Sequence, residues 1–496
     1  MQDALTGLLM VFSWPTILYM LLGIFGGMFI GLFPGLGGMF ALALMIPFIY
    51  GMAPAPAFAF LLGSHAVITT TGAITTILLN IPQSGPETAV LFDGFPMTRQ
   101  GRASQALGAG MAASALGGVV GALFLAVFLP VGDKLVLAFG PPEFFALAML
   151  GVVFIATMGG KSLSKSLISG GLGLLLSLVG FDPMTGIVRF SFGALYLYDG
   201  INLATVVIGL FGIAQVIKMM VEGGKLAKAE VAYLGSGMFE GVRDAFRHWW
   251  LVVRCSIIGS VIGFIPGLGG DVATFLGYGH AVQTSKHPEK FGQGAVEGVI
   301  APLSAIHAKE GGALIPTVAF GIPGSGAMAI LLAAFYIVGL HPGPEMLHSQ
   351  KPLLFSMVWT IIVANLIASV ITSLLAKKLS LVTRVRVSIL VPIILVLSLL
   401  GSYGITSTLE NLILSIIAGF VGYEMEKQDY SRPALIIGLV LGKITEQNLN
   451  LSVRLYGWQF LLRPITLVIL LMITASIVYA LIKKGRTKGR PEGVQA

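Results

Sequence analysis

Gly31-Leu32-Phe33-Pro34-Gly35-Leu36-Gly37-Gly38 returns later in the chain as Gly263-Phe264-Ile265-Pro266-Gly267-Leu268-Gly269-Gly270. A second motif, Ile81-Pro82-Gln83-Ser84-Gly85, returns as Ile322-Pro323-Gly324-Ser325-Gly326. Two motifs repeated in the same order mark a duplicated unit. A helix cannot run through Pro-Gly-Leu-Gly-Gly: Pro34 and Pro266 have no N–H to donate and clash with the preceding turn, and the glycines raise the entropic cost of helix. The surroundings of these breaks decide the fold. Of the 496 residues, 56% are hydrophobic and 10% charged, with a mean hydropathy of +0.91. Soluble domains carry about 25% charged residues, so this chain cannot face water all round.

Moving outward, apolar stretches at residues 17–33, 103–129, 353–375 and 465–482 match the roughly 20 residues needed to cross a bilayer. Allowing for loops, roughly ten to twelve membrane segments fit. The expected fold is an all-α integral membrane protein, in two repeats with broken helices or re-entrant hairpins. The 65 glycines agree, because glycine is commoner in membrane helices than in soluble ones. One cysteine, Cys255, excludes an intramolecular disulfide framework. The first seven residues lack a positive n-region, so no cleaved signal is expected. The net charge of +8 sits in loops between apolar spans, which fits positive-inside topology better than nucleic-acid binding.

Loop charges orient the copies. Between the two motifs, residues 50–57 carry no Lys or Arg, whereas the corresponding loop of the second copy holds Lys286 and Lys290. After the second motif the bias reverses, with Arg99 and Arg102 in the first copy and none across residues 339–350 of the second. Equivalent loops on opposite faces make an inverted-topology repeat, a frequent build of secondary transporters. The expected organisation is a first membrane half over 1–221, a cytoplasmic linker over 222–248 with Arg243 and Arg247, a second half over 249–484, and a basic cytoplasmic tail over 485–496. The N-terminus, with Asp3 and no nearby Lys or Arg, is expected in the periplasm.

Broken backbone inside a bilayer persists only where protein buries it or a wet cavity adjoins it. The freed N–H groups at the next helix start then attract an anion. Matched interruptions in two halves therefore nominate a binding site for an anionic substrate. The candidates are Pro34, Gly35, Gly37 and Gly38 with Asn80, Pro82, Gln83, Ser84 and Gly85 in the first copy. The second copy supplies Pro266, Gly267, Gly269, Gly270 and Asp271 with Pro323, Gly324, Ser325 and Gly326. Ser84, Ser325, Asn80 and Gln83 can donate hydrogen bonds to carboxylate oxygens. The bland reading is that the glycines only let helices pack closely; four interruptions in matched pairs favour a site. Secondary candidates are Thr69, Thr70, Thr71 and Thr75 from a hydroxyl-rich run, and Glu297, Ser304 and His307. Membrane threonines often bond their own helix backbone. Lys309 and Glu310 also precede Pro323, and ionisable groups at membrane depth are functional candidates.

Enzyme signatures are absent. Gly159-Gly160-Lys161-Ser162 resembles the end of a phosphate loop, but Ile155 stands where that pattern needs glycine. The seven histidines show no metal-ligand spacing, so no metal and no resident cofactor is expected. A membrane-embedded enzyme would need clustered acids; a passive channel or scaffold remains the other alternative, since channels also use broken inverted repeats.

Over almost its whole length the chain resembles the large permease subunit of the tripartite tricarboxylate transporters. The resemblance rests on Pro266 to Gly270, Phe291-Gly292, Glu297-Gly298-Val299, Gly311-Gly312-Ala313-Leu314-Ile315-Pro316 and Gly321-Ile322-Pro323-Gly324-Ser325. It continues through Asp93-Gly94-Phe95-Pro96, Gly140-Pro141-Pro142-Glu143-Phe144, Asp182-Pro183-Met184-Thr185-Gly186 with Arg189-Phe190, Glu446, and Arg463-Pro464. It implies a bacterial inner-membrane permease that receives an organic carboxylate from a periplasmic solute-binding protein, works with a small membrane subunit, and is driven by a Na+ or proton gradient without ATP. Two departures bear on specificity. Pro302-Leu303-Ser304-Ala305-Ile306-His307 stands where such sequences usually carry Pro-Glu-Ala-Ala-Asn-Asn. His65 to Thr71 replaces an aromatic, glycine-rich run, and Gln83 replaces a glycine. Neither a citrate-like specificity nor a particular coupling ion therefore carries over.

Overall fold

Both glycine loops interrupt helix, the first between Gly31 and Gly38 and the second between Phe264 and Gly269. The computed structural model describes residues 2–33, 36–136, 138–158, 162–182, 184–222, 237–266, 269–382 and 387–488. In chain order, the first helices are α1 (Gln2–Phe12), α2 (Thr16–Gly31), α3 (Gly38–Met45), α4 (Pro54–Leu79), α5 (Thr88–Arg99) and α6 (Ala103–Val136). Helices α7 (Pro141–Met158) and α8 (Leu163–Ser177) lead to an antiparallel hairpin, β1 (Gly180–Phe181) and β2 (Val188–Arg189), with Gly180 opposite Arg189. Next come α9 (Leu203–Val207), a π-helical segment (Ile208–Ile213), α10 (Ala214–Glu222), α11 (Met238–Arg247), α12 (Trp249–Phe264) and α13 (Gly269–Thr284). The remainder is α14 (Glu297–Phe320), α15 (Gly326–Ile337), α16 (Pro344–Ser349), α17 (Lys351–Val382), α18 (Val387–Thr406), α19 (Leu409–Lys427), α20 (Arg432–Tyr456) and α21 (Pro464–Lys488). The architecture is all-α, with that hairpin as the one sheet among the described residues.

Among the described residues, four helical segments suit a membrane crossing by length and composition: α4, Ala103–Gly132, Leu203–Val221 and Lys351–Ala376. Two bent pairs, α1 with α2 and the α20 region with α21, raise the number to six, each pair bending by 68°. The shorter apolar helices Trp249–Phe264 and Gly326–Ile337 fall below a full span. Each abuts one of the motif breaks, which is why composition alone suggests more crossings than single straight helices supply.

The chain forms two compact units, Met1–Val136 with Ala204–Tyr423, and Leu137–Leu203 with Glu424–Ala496. Both sequence halves contribute to each unit. Residues 223–236 of the linker, and the tail beyond residue 488, lie outside the described residues. The linker's C-terminal part is α11, which packs on α6 with Gln105 Nε2 donating to Asp244 Oδ2 at 2.6 Å.

In the first unit, α2 lies along α4 and α12 lies along α14. The spacing of small residues explains both pairs. A Cβ on Gly27 would strike the Ser64 backbone, and one on Gly31 the Ile68 backbone. Gly259 and Gly263 stand in the same relation to Ala305 and Lys309. Close backbone approach maximises van der Waals contact where lipid offers no hydrophobic drive for helix association. The copies also exchange partners: α6 packs on α14, and α17 packs on α4. Asp93 anchors a second exchange, its Oδ1 accepting the Gly294 and Ala295 N–H groups at 2.8 Å each and its Oδ2 the Tyr278 hydroxyl at 2.9 Å.

The second unit is α7, α8, the hairpin, α20 and α21, and ion pairs tie it together. Glu143 is fully buried; its Oε1 accepts from Arg463 Nε and Thr466 Oγ1 at 2.9 Å each, its Oε2 from the Gly140 N–H at 2.9 Å. Arg189 grips Glu446 with both terminal nitrogens, at 2.7 and 2.9 Å. Bidentate pairing of this kind fixes orientation as well as adding energy. The Asp182 carboxyl is held below the usual carboxylate range, first by the Met184 N–H and also by Arg189 at 3.6 Å.

Candidate functional site

The second motifs end α4 and α14 in the same way. Asn80 (φ 56°) and Gly321 (φ 67°) adopt the left-handed conformation that stops each helix. The next residues, Ile81 and Ile322, donate to the carbonyls of Thr75 and Pro316. One turn earlier, Thr76 and Thr317 bond back to the carbonyls of Gly72 and Ala313. Beyond the break, Ser84 (φ −151°, ψ 173°) and Ser325 (φ −157°, ψ 171°) cap the following helical segments. Ser325 Oγ accepts the Met328 N–H at 3.4 Å. The Ser84 hydroxyl donates to Glu87 Oε2, and Glu87 in turn accepts the Ser84 N–H at 3.0 Å.

The interruptions then meet across copies. Helix α3, which follows the first glycine loop, packs on α15, which follows the second copy's Ile-Pro motif. Reciprocally, α13 packs on the 3-10 turn Gly85–Glu87. Within the first copy, buried Gln83 donates through Nε2 to the Leu36 carbonyl at 3.1 Å, joining the two breaks. A Cβ on Gly37 would touch Ser84, and one on Gly270 would press on Pro86 at 2.8 Å. Gly324 passes the Ala313 backbone with no room for a side chain. Asn80 is exposed, Pro82 half-buried, and Gly85 and Gly326 open their helical segments. Pro266 is buried and Pro323 lies in the described break, while Pro34, Gly35 and Gly267, and the Asp271 side chain, lie outside the described residues.

Between α4 and α14 lies a polar cluster that sequence reading saw only in pieces. His65 Nε2 stands 3.0 Å from Glu310 Oε2, without hydrogen-bond alignment, and Lys309 Nζ binds Glu310 Oε1 at 2.7 Å. His307 Nδ1 faces the Leu303 carbonyl at 2.8 Å and its Nε2 meets Thr70 Oγ1 at 2.9 Å. A void of about 10 Å³ is lined by His65, Thr69, Ile306, His307, Glu310 and Asn365, among others; that volume holds one water at most. The ring nitrogens of His65, Gln83 Oε1, Glu310 Oε2 and Asn365 Oδ1 have no hydrogen-bond partner among the described residues. A Cβ on Gly38 would lie 3.1 Å from the His65 ring, so the cluster adjoins the start of α3.

The other candidates are placed as follows. Thr71 and Thr75 bond the carbonyls of their own helix, at Val67, Ile68 and Gly72, and Ser304 does the same at Ala301. Thr69 lines the void. Glu297 sits at the opposite end of α14, about 20 Å from Glu310 at 1.5 Å per residue, with His248 3.4 Å away. Sequence reading met His65 only within the His65–Thr71 departure and left Asn365 out; a single asparagine in the apolar run of α17 was the available signal. A larger cavity of about 390 Å³ near the first glycine loop is walled by Phe29, Phe33, Phe40, Phe48, Phe60 and leucines, and offers a carboxylate no donor.

Comparison with known proteins places this arrangement. The model of the tripartite tricarboxylate transporter TctA family matches residues 17–437. An uncharacterized 52.8 kDa protein in the TAR-I ttuC' 3' region of Agrobacterium vitis is 31% identical over 475 residues, covering 95% of this chain and 94% of that protein. An uncharacterized protein in the TAR-II ttuC' 3' region of the same organism is 29% identical over 233 residues, 46% of this chain and 96% of the relative. No solved structure matches. Over most of its length, then, the chain belongs to the tripartite tricarboxylate transporter TctA family.

Proposed function

We propose that this chain is the permease subunit of a binding-protein-dependent secondary transporter that imports an organic carboxylate of the di- or tricarboxylate class. It sits in the bacterial inner membrane as ten to twelve segments in two inverted repeats, including the broken spans. A periplasmic solute-binding protein hands over the substrate, a small membrane subunit completes the complex, and a Na+ or proton gradient supplies the energy. The observation that carries the reading is the exchange of partners between copies. Each glycine-loop helix packs on the segment that follows the other copy's Ile-Pro break. Four interruptions thereby face one region, where freed N–H groups and the hydroxyls of Ser84 and Ser325 suit an anion. We infer that substrate carboxylates bind there, around Gly37–Gly38, Gln83–Gly85, Gly269–Asp271 and Pro323–Gly326.

The test is uptake of radiolabelled di- and tricarboxylates into proteoliposomes holding the permease and its small subunit. Uptake is expected only with the binding protein and an imposed ion gradient. Full-rate uptake without a gradient would make the chain a passive channel, and uptake that depends on ATP would contradict the reading outright.

A further inference from the structure

We propose that His65, facing Glu310 where α4 and α14 cross, carries the co-transported proton, so that the driving gradient for this chain is a proton gradient; this rests on the transporter reading above. His65 is 6% exposed, and neither ring nitrogen has a hydrogen-bond partner among the described residues. A neutral imidazole left so is an unmet donor and an unmet acceptor in a dry site, which is costly. As an imidazolium it gains a counter-ion already in place, Glu310 Oε2 at 3.0 Å.

The surroundings favour a proton over a metal cation. Lys309 already occupies the other carboxylate oxygen of Glu310 at 2.7 Å, so a second fixed cation would sit beside a buried ammonium. The void of about 10 Å³ is lined by two imidazoles, and Glu310 and Asn365 bring it the unpartnered oxygens Oε2 and Oδ1, a small set for a bare metal cation. Among the described residues that line the void, the titrating groups are His65, His307 and Glu310; α13 also packs on α14, and its Asp271 side chain lies outside the described residues. Helices α15 and α17 line the void with Met328, Ile361 and Asn365. Helices α2 and α3 approach α4 here through Gly27 and Gly38, and α6 and α12 approach α14 through Gly121 and Gly263. Among the described residues the titrating groups of the cluster are thus His65, His307, Glu310 and the Lys309 bound to it.

His307 provides a second resting place. In the neutral form its Nδ1–H donates to the Leu303 carbonyl and its Nε2 accepts the Thr70 hydroxyl. On protonation the Nε2–H donates to Thr70 Oγ1, and that hydroxyl turns to the Ala66 carbonyl, 3.3 Å away. Both states leave the two ring nitrogens of His307 satisfied, whereas His65 returns to its unmatched neutral state once its proton leaves. The proton comes from water on one side and returns to water on the other, and no substrate bond changes. Lys309 and Glu310 cancel in charge, so protonating His65 makes the cluster net positive beside the N-terminus of α3. A bound carboxylate neutralises it, which couples the two cargoes.

The experiment titrates isotope-labelled histidines by NMR in the full-length chain in lipid nanodiscs, alongside equilibrium binding of radiolabelled sodium. The expected result is a His65 ring signal, assigned by its loss in His65→Gln, that responds to the proton concentration. In Glu310→Gln, which removes the carboxylate facing the ring at 3.0 Å, that response should change. Replacing choline by sodium should leave it unmoved. Should Glu310→Gln fail to purify as a monodisperse chain, Lys309→Gln with Glu310→Gln removes the pair together and carries the same expectation. A His65 that stays in one charge state, or saturable sodium binding abolished by Glu310→Gln, overturns the proposal while leaving carboxylate transport standing. Absence of gradient-driven carboxylate uptake defeats the transporter reading instead, whatever His65 does.

Discussion

Gln83→Met isolates the tie between the two breaks of the first copy. Gln83 is 2% exposed and its Nε2 donates to the carbonyl of Leu36, itself 1% exposed. Methionine keeps the length of the side chain beside Gly72 but removes the donor, leaving a buried carbonyl without it. Stranding such a group costs about 1–3 kcal/mol. If that bond holds the start of α3 closed, local opening of residues 36–41 becomes about fivefold to more than a hundredfold more frequent. Amide hydrogen exchange by mass spectrometry reads this directly on peptides spanning the loop. Peptides from α8 and α20, in the other unit, serve as the internal control and should exchange as in the parent. Exchange at residues 36–41 within about twofold of the parent, well below that range, refutes the idea that Gln83 pins the glycine loop.

Reporter fusions should place the N-terminus in the periplasm and Arg243 and Arg247 in the cytoplasm; an external linker would remove the inverted-repeat reading with it. Ser325→Ala should weaken carboxylate binding tenfold or more, from about 1.5–3 kcal/mol for a hydrogen bond to a charged group. Ser84→Ala should cost less because its hydroxyl already donates to Glu87; binding within about twofold of the parent in both variants would reduce these loops to packing devices. In the hairpin, Asp182 has a depressed pKa, so its contribution to stability is present above the ordinary carboxylate value and is lost as pH falls through the depressed one. Protection from hydrogen exchange at residues 180–189, relative to the intrinsic rate at each pH, should therefore fall below about pH 4 in the parent, and Asp182→Asn should flatten that dependence.

The breaks at both glycine loops were legible because proline and glycine act through local backbone chemistry. So was the duplication, which needs only matched order. The cross-copy pairing was not, since it depends on which helix faces meet. Thr70 and His307 touch although 237 residues apart, and neither belongs to a pattern that announces the other. Threonines 71 and 75 looked like ligands by type, yet their hydroxyls are spent on their own helix. In the second unit, Glu143, Asp182, Arg189, Glu446 and Arg463 each stood inside a recognisable short motif. That they were ion-pair partners of one another appears only once the chain is folded.

Counting back from Ile81 and Ile322, His65 corresponds to Ile306, Ala66 to His307, Ile68 to Lys309 and Thr69 to Glu310. The backbones of the two copies rhyme, while their ionisable groups do not: each occurs on one side of the duplication alone. A carrier whose copies trade shapes to open alternately would be even-handed only if the counterparts were interchangeable. Here they are not, so under the transporter reading proposed above the inward-open and outward-open forms would differ in free energy before any cargo binds. Half-saturation from the two sides must then differ, with maximal rates differing in compensation so that equilibrium is respected. Divergence at four positions would thus give the inverted-repeat carrier proposed above a preferred direction of loading.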